Sequence, residues 1–315
     1  MIKNQIPPIQ RVLIVGGTHG NEFTGVYTIK KLQQHPNLVQ RQNFETITLL
    51  ANPQAFAAVR RYLDKDLNRC FRQADLQDLT RSSYEDIRAR EINHLYGANG
   101  KTPVDVVVDI HSTTANMGLT VITHEHPFNL QLVAYLQSVN PLVKVYILPK
   151  SLEASSLPSI CELGCTIEVG AIPQGILQAE RFEETETLVK DILNYLELYN
   201  RGEVPLFKNS FTVYSHCGTI DYPRNESGEI QAMIHPQLQF QDYQPLNPGT
   251  PMFLTFKGEA IAYEGTSIIY PVFINEAAYY EKGIAMCITQ PQQILLKKNE
   301  DNLGFQVYFA NKFSG

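Results

Sequence analysis

Apolar runs alternate along this chain with stretches of helical spacing. Residues 12–15 (V-L-I-V) are apolar without a break and stop at Gly16-Gly17, which reads as a short buried strand and a glycine turn. Residues 22–34 then place Phe23, Val26, Ile29 and Leu32 at helical spacing before His35-Pro36 ends them. A second strand-like run at 46–51 leads into the turn Asn52-Pro53 and a predicted helix over 55–63. The polar segment 64–69 interrupts, and 82–95 resumes as a charged amphipathic helix. Residues 104–110 (V-D-V-V-V-D-I) are the clearest buried strand, and their end delivers His111. Further strands are predicted over 119–123, 143–148 and 165–169, with a helix over 129–138. A long amphipathic helix over 182–199 closes on Asn200-Arg201-Gly202, a C-cap pattern.

Strands and helices in alternation predict an α/β fold built from βαβ units. Beyond Gly202 the texture changes to short alternating runs such as F-T-V-Y and S-I-I-Y-P-V-F-I, separated by Pro and Gly. The expected organisation is therefore an α/β domain over 1–202 and a small β domain over 203–315.

The 315 residues are 43% hydrophobic and 18% charged, enough to bury a sizeable core. A formal net charge of -6 and the lack of any Lys/Arg-rich run exclude nucleic acid as the expected partner, because phosphate binding needs a basic face. A small molecule fits better. Five scattered cysteines, with no CxxC pair, read as reduced thiols. The opening residues lack the apolar core of a secretory signal, and no segment approaches the roughly 20 apolar residues of a membrane span. A cytoplasmic location is expected.

Candidate chemistry sits where strands end. His19 and Glu22 follow the first strand, His111 follows the strand at 104–110, and Glu168 lies on the strand at 165–169. Two histidines and a carboxylate form the three-ligand set of catalytic zinc sites, although His-x-x-Glu alone often arises by chance. Asp109, two residues before His111, faces the same side of an extended strand; it either orients an imidazole or makes an N-terminal salt bridge. The glycines do not spell G-x-G-x-x-G or a P-loop, so a nucleotide cradle is disfavoured. Residues 60–69 (R-R-Y-L-D-K-D-L-N-R) concentrate cations and an amide, either as a binding site for an anionic substrate or as a solvated helix end. His124 and His126 precede a Pro in an expected loop and read as solvated, and His35, His94, His216 and His235 show no partner pattern.

Taken together, G-G-T-H-G-N-E, D-L-N-R, D-I-H-S-T-T-A-N-M-G, I-E-V-G, D-Y-P-R-N-E-S-G-E-I and V-F-I-N-E-A-A-Y-Y-E-K occur in order between residues 12 and 282. This set resembles the aspartoacylase/succinylglutamate desuccinylase family of zinc carboxypeptidase-like proteins. The resemblance implies a mixed sheet flanked by helices, a C-terminal β domain that narrows the entrance, one zinc ion per chain, and a homodimer. It implies hydrolysis of an N-acyl amino acid, of the N-acetyl-L-aspartate type, into a carboxylate and a free amino acid. His19, Glu22 and His111 match the zinc ligands and Glu168 the general base. Arg61 matches the arginine that polarises the scissile carbonyl, Asn68 and Arg69 the pair that holds the α-carboxylate, and Tyr279 a substrate-contacting tyrosine.

One departure bears on substrate. The resemblance implies an arginine ten residues before Glu168, gripping an acidic side chain, and a tyrosine four residues earlier; here those positions are Pro158 and Ala154. An aminoacylase for N-acetyl aromatic or aliphatic amino acids therefore stands beside the aspartate reading. A zinc carboxypeptidase acting on peptides and a non-enzymatic scaffold are disfavoured, the first because a C-terminal domain crowds the site, the second because ligands, base and arginine are all retained.

Overall fold

The computed structural model describes residues 7–205, 210–298 and 305–310. Its first half alternates as the hydrophobic pattern predicts: β1 (Arg11–Gly16), α1 (Phe23–Gln34), β2 (Glu45–Leu50), α2 (Pro53–Ala57), α3 (Gln73–Gln77), α4 (Tyr84–Tyr96) and β3 (Val106–Ser112). There follow β4 (Gly118–Thr123), α5 (Pro127–Val139), β5 (Val143–Ile147), α6 (Lys150–Glu153), β6 (Leu163–Gly170) and α7 (Ala179–Arg201). Gly202 ends α7 at φ 69°, the left-handed C-cap that its sequence promises.

Strands β7 (Phe211–Ile220), β8 (Ala232–Ile234), β9 (Pro251–Thr255), β10 (Ala260–Ala262), β11 (Tyr270–Val272), β12 (Met286–Lys298) and β13 (Phe305–Ala310) complete the order. One mixed sheet runs β11-β12-β7-β5-β4-β6-β3-β1-β2 with β13 beside β12, and β8, β9 and β10 form a separate three-stranded sheet. The large sheet passes from β5 directly into β7 through the parallel pairs Tyr146↔Tyr214 and Ile147↔Ser215.

Both faces of its centre are covered, which is why β1 and β3 each carry an apolar run, Val12–Val15 and Val106–Val108. Val12, Ile14, Val106 and Val108 join Ile29, Ile192 and Leu196 in one core, while Leu13, Val15 and Val107 join Ala89 and Ile92 on the other face. Glycine lets α1 lie close to the sheet. A Cβ on Gly25 would sit 2.4 Å from the Ile110 carbonyl oxygen, and one on Gly16 would sit 2.2 Å from the Gly25 carbonyl oxygen.

The expected helix at 55–63 is shorter than its pattern. It stops at Ala57, and Val59 turns to φ 53°, where a β-branched residue breaks a helix. The chain beyond is irregular but anchored: the buried Glu85 carboxylate accepts from the backbone N–H groups of Leu63, Asp64 and Lys65. That anchored loop carries Arg61.

Because the α1–β3 approach sets where His19, Glu22 and His111 meet, Gly25→Ala is expected to destabilise the fold by about 1–3 kcal/mol through overpacking. Urea unfolding of the variant against the parent chain measures it.

Candidate active site

Parallel pairing places the ends of β1, β3 and β6 side by side, with Gly16 opposite Ile110 and His111 opposite Glu168. Beyond β1, Gly17 takes φ 67° and the turn brings His19 back over the sheet. Glu22 stands at the N-cap of α1, yet its side chain caps no helical N–H and is left for the site.

The three predicted ligands converge. Glu22 Oε1 lies 2.6 Å from His19 Nδ1, Glu22 Oε2 lies 2.9 Å from His111 Nδ1, and the two Nδ1 atoms are 3.1 Å apart. All three residues are buried, with ligand atoms within 4.8 Å of one another. Behind each ring stands a carboxylate: Asp66 Oδ1 is 2.9 Å from His19 Nε2, and Asp109 Oδ2 is 2.8 Å from His111 Nε2. A carboxylate only accepts, so both Nε2 atoms carry hydrogen and both Nδ1 atoms face Glu22. Thr18 Oγ1 donates to the other oxygen of Asp109 and fixes it in turn. Asp109 is thus the ring-orienting partner, not an N-terminal salt bridge.

Two imidazole nitrogens and one carboxylate, buried and held from behind by carboxylates, fit the donor set and outer partners of a catalytic zinc site. For the protein groups alone, burial opposes charge on His111, yet Asp109 and Glu22 hold its imidazole well above the ordinary histidine range. Burial likewise works to raise the Glu22 and Asp66 carboxyls; His19 and His111 hold Glu22 well below its usual range, and His19, Arg61 and Lys282 do the same for Asp66.

Glu168 behaves in the opposite way. It is buried at the cavity, no hydrogen bond reaches its carboxylate among the described residues, and burial together with the nearby Glu22 and Glu276 charges pushes its carboxyl well above the usual range. Arg61 approaches from the loop after α2, with Nη1 2.9 Å from Glu22 Oε1 and Nη2 3.5 Å from Asp66 Oδ2. Residues 60–69 are therefore not simply a solvated helix end.

These groups line a cavity of about 480 Å³ together with Asn68, Arg69 and Tyr279. Asn68 and Arg69 lie on a single 3-10 turn, Leu67–Arg69, capped by Asp66. The Asn68 side chain accepts from Leu157 N at 2.8 Å, and Arg69 Nη1 donates to the Asn68 carbonyl at 2.6 Å. The roof comes from the far end of the chain, where the turn Ala277–Lys282 carries Tyr279. Glu276 clamps that turn to the β3–β4 loop by accepting from Thr113 Oγ1, from Thr114 N at 2.8 Å and from Thr114 Oγ1 at 2.9 Å. Lys282 Nζ donates to Asp66 Oδ2 at 3.0 Å.

The sequence profile of the succinylglutamate desuccinylase/aspartoacylase catalytic domain matches residues 8–196, and that of the family's barrel-sandwich hybrid domain matches residues 209–291. A protein of Nostoc sp. named probable aspartoacylase is 59% identical over 288 residues, spanning 91% of this chain and 98% of its own length. The chain belongs to the succinylglutamate desuccinylase/aspartoacylase family. The human N-acyl-aromatic-L-amino acid amidohydrolase (carboxylate-forming) is 44% identical over 90% of this chain and 91% of its own. The crystal structure of murine aminoacylase 3 superposes with a TM-score of 0.86 at 42% identity, covering 92% of this chain and 97% of that one.

Against the family pattern, Ala154 and Pro158 line a neighbouring cavity of about 490 Å³ and not the one that holds the His–Glu–His cluster. The wall that does face the cluster's cavity is Ser151, Leu152, Glu153, Ser155 and Ser156. His124 is not solvated: its side chain is only 12% exposed, and its Nδ1 lies 2.8 Å from Glu153 Oε2. His126 caps α5 by accepting from Phe128 N, and His216 Nδ1 lies 2.7 Å from the Tyr146 hydroxyl. Asp66, Arg72, Glu276 and Lys282 are the site residues that spacing arguments do not reach. Asp66 lies 47 positions from its imidazole and Lys282 lies 216 from Asp66, so only the fold makes them neighbours.

Removing the carboxylate behind one ring is expected to leave the fold intact and weaken metal retention. Asp109→Ala should lower zinc affinity by about 10- to 100-fold, read by titration against a competing chelator.

Proposed function

We propose that this chain is a zinc-dependent amidohydrolase that cleaves an N-acyl amino acid, of the N-acetyl-L-aspartate type, into a carboxylate and the free amino acid. The observation that carries the reading is the buried His19–Glu22–His111 cluster with Glu168, which makes no hydrogen bond among the described residues, beside it in one cavity. Family membership and relatives named for N-acyl amino acid hydrolysis support it. So does the size of the cavity, which suits a small molecule and leaves little room for a peptide beneath Tyr279 and Lys282.

His19, Glu22 and His111 would hold the zinc. When bound, it supplies Lewis acidity toward the scissile carbonyl and brings the pKa of water to about 7. Glu168 takes the proton of the attacking water on its carboxylate. A carboxyl whose pKa lies above the usual range is a better base for that proton and, once protonated, an acid able to return it to the leaving amine. Arg61, held rigid between Glu22 and Asp66, keeps guanidinium N–H capacity for negative charge growing on the carbonyl oxygen. Asn68 and Arg69 take the substrate's α-carboxylate, and Tyr279 closes over it. Residues beyond 202 narrow the entrance through the Ala277–Lys282 turn.

A second reading, an aminoacylase for N-acetyl aromatic or aliphatic amino acids, is favoured by the apolar part of the lining. Ile122, Tyr146, Leu148, Leu152, Phe273 and Ile284 contribute to the same cavity. Rates on N-acetylaspartate against N-acetylphenylalanine and N-acetylleucine separate the two readings, and a wild-type chain inert on all three overturns both.

Glu168→Ala is expected to retain zinc while losing roughly 10²- to 10⁴-fold in kcat, as removal of a positioned proton-transfer group does. A variant that turns over near the wild-type rate with full metal content overturns the assignment.

A further inference from the structure

The cavity contains four cationic side chains, Arg61, Arg69, Arg72 and Lys282, and their engagements differ. Arg61 is paired with Glu22 and Asp66, and Lys282 with Asp66. Arg69 is tied to the Asn68 carbonyl and, in the proposed function, faces the α-carboxylate. Arg72 alone of the four makes no ion pair or side-chain hydrogen bond among the described residues, although it lines the cavity. A guanidinium without an anionic partner at the edge of a small-molecule cavity is a ready acceptor site for a carboxylate.

The backbone determines which part of the cavity Arg72 serves. Phe71 N donates to Ser155 O at 3.2 Å and Leu157 N donates to Asn68 Oδ1 at 2.8 Å, so residues 68–72 are stitched to the wall at 151–157. Phe71 is buried at this seam, and Arg72 emerges beside it at the start of α3. The wall it joins offers Ser151, Ser155 and Ser156 to the cavity, and its one anion, Glu153, is engaged by His124. The Ser156 hydroxyl already donates to the Glu153 carbonyl at 2.7 Å, which leaves the Ser151 and Ser155 hydroxyls with a guanidinium that has no partner among the described residues, a polar corner on the side of the cavity that Asn68 and Arg69 also border.

We propose that Arg72 is a specificity-determining residue that binds the side-chain carboxylate of an acidic N-acyl amino acid. It does so with the Ser151–Ser156 wall, while Asn68 and Arg69 hold the α-carboxylate. This rests on the amidohydrolase reading above and specifies its substrate class as acidic. The subsite is assembled from a different segment than the positions occupied by Ala154 and Pro158, which open onto the adjoining cavity.

The test compares the zinc-loaded wild type with Arg72→Ala, Arg72→Lys and Arg72→Glu on N-acetyl-L-aspartate and its neutral isostere N-acetyl-L-asparagine. The ratio of kcat/KM for aspartate over asparagine should exceed one in the wild type. It should fall by about tenfold in Arg72→Ala, a modest factor because the guanidinium is solvent-exposed, with the change carried by KM. Arg72→Lys should restore part of the ratio, and Arg72→Glu should depress it below that of Arg72→Ala. A wild-type ratio of one or less, or an unchanged ratio in Arg72→Ala, overturns the proposal. Calorimetric binding of L-aspartate against L-asparagine reads the subsite without turnover. Loss of the aspartate advantage in Arg72→Ala, in a chain that cleaves neither N-acetyl compound, would retain the subsite and overturn the amidohydrolase reading alone. Equal binding of the two amino acids by the wild type overturns the subsite.

Discussion

Two carboxylates set behind two imidazoles are the constraint on which the rest of this site depends. Asp66 and Asp109 each hold the Nε2 edge of an imidazole, of His19 and His111 respectively, and so aim both Nδ1 atoms at Glu22. A buried charge tolerates such a position only when it is paired. Every charge around the cluster meets that condition: Arg61 and Lys282 neutralise Asp66, Thr18 satisfies Asp109, and the Ser112 N–H donates to Glu22. Glu168 is the exception, without a hydrogen bond among the described residues and set against neighbouring carboxylates. A group in that position is poised to exchange a proton, because neither of its protonation states is locked by a partner.

Much of this arrangement is legible along the chain. His19, His111 and Glu168 follow or lie on apolar strands, and parallel strands packed on both faces leave little doubt which end of the sheet they share. Asp109 is legible as well, because a two-residue step along a strand returns to the same side. Asp66, Glu276 and Lys282 have no such signature: their partners lie at separations of 47, 163 and 216 residues, where neither helical nor strand periodicity carries information. His124 misleads for a related reason. A loop before a proline suggests solvent, but α6 returns over it and supplies Glu153. The helix expected over 55–63 ends early because Val59 leaves helical φ and Glu85 offers the following backbone N–H groups an alternative partner. The pattern of apolar residues contains neither fact.

Selectivity and catalysis are built from different kinds of structure. The cluster His19, Glu22 and His111 and the neighbouring Glu168 sit on strand ends and a helix N-cap, elements whose positions follow from the core. In the proposed reading, the surfaces that meet a substrate's variable parts come from short turns that line the cavity: Leu67–Arg69, the start of α3, the wall at 151–156 and Ala277–Lys282. Turns accept substitution with little cost to the core, so one hydrolytic frame can serve acidic and aromatic substrates by exchanging a few wall residues. Ala154 and Pro158 lie on such a stretch, between α6 and β6, and line the neighbouring cavity.

The clamp that Glu276 makes on Thr113 and Thr114 also orders events in time. Strand order brings His19, Glu22, His111 and Glu168 together once β6 is in place, but the roof is encoded more than a hundred residues later. At ordinary rates of synthesis, of about 5–20 residues per second, that gap corresponds to several seconds or more during which a nascent chain could hold its metal ligands while lacking Tyr279, Lys282 and the clamp. Until the Ala277–Lys282 turn is in place, such a half-built cavity lacks the side chains that roof it. In the proposed reading, the direction of translation thereby separates the assembly of the His19–Glu22–His111 cluster from the roofing of its cavity.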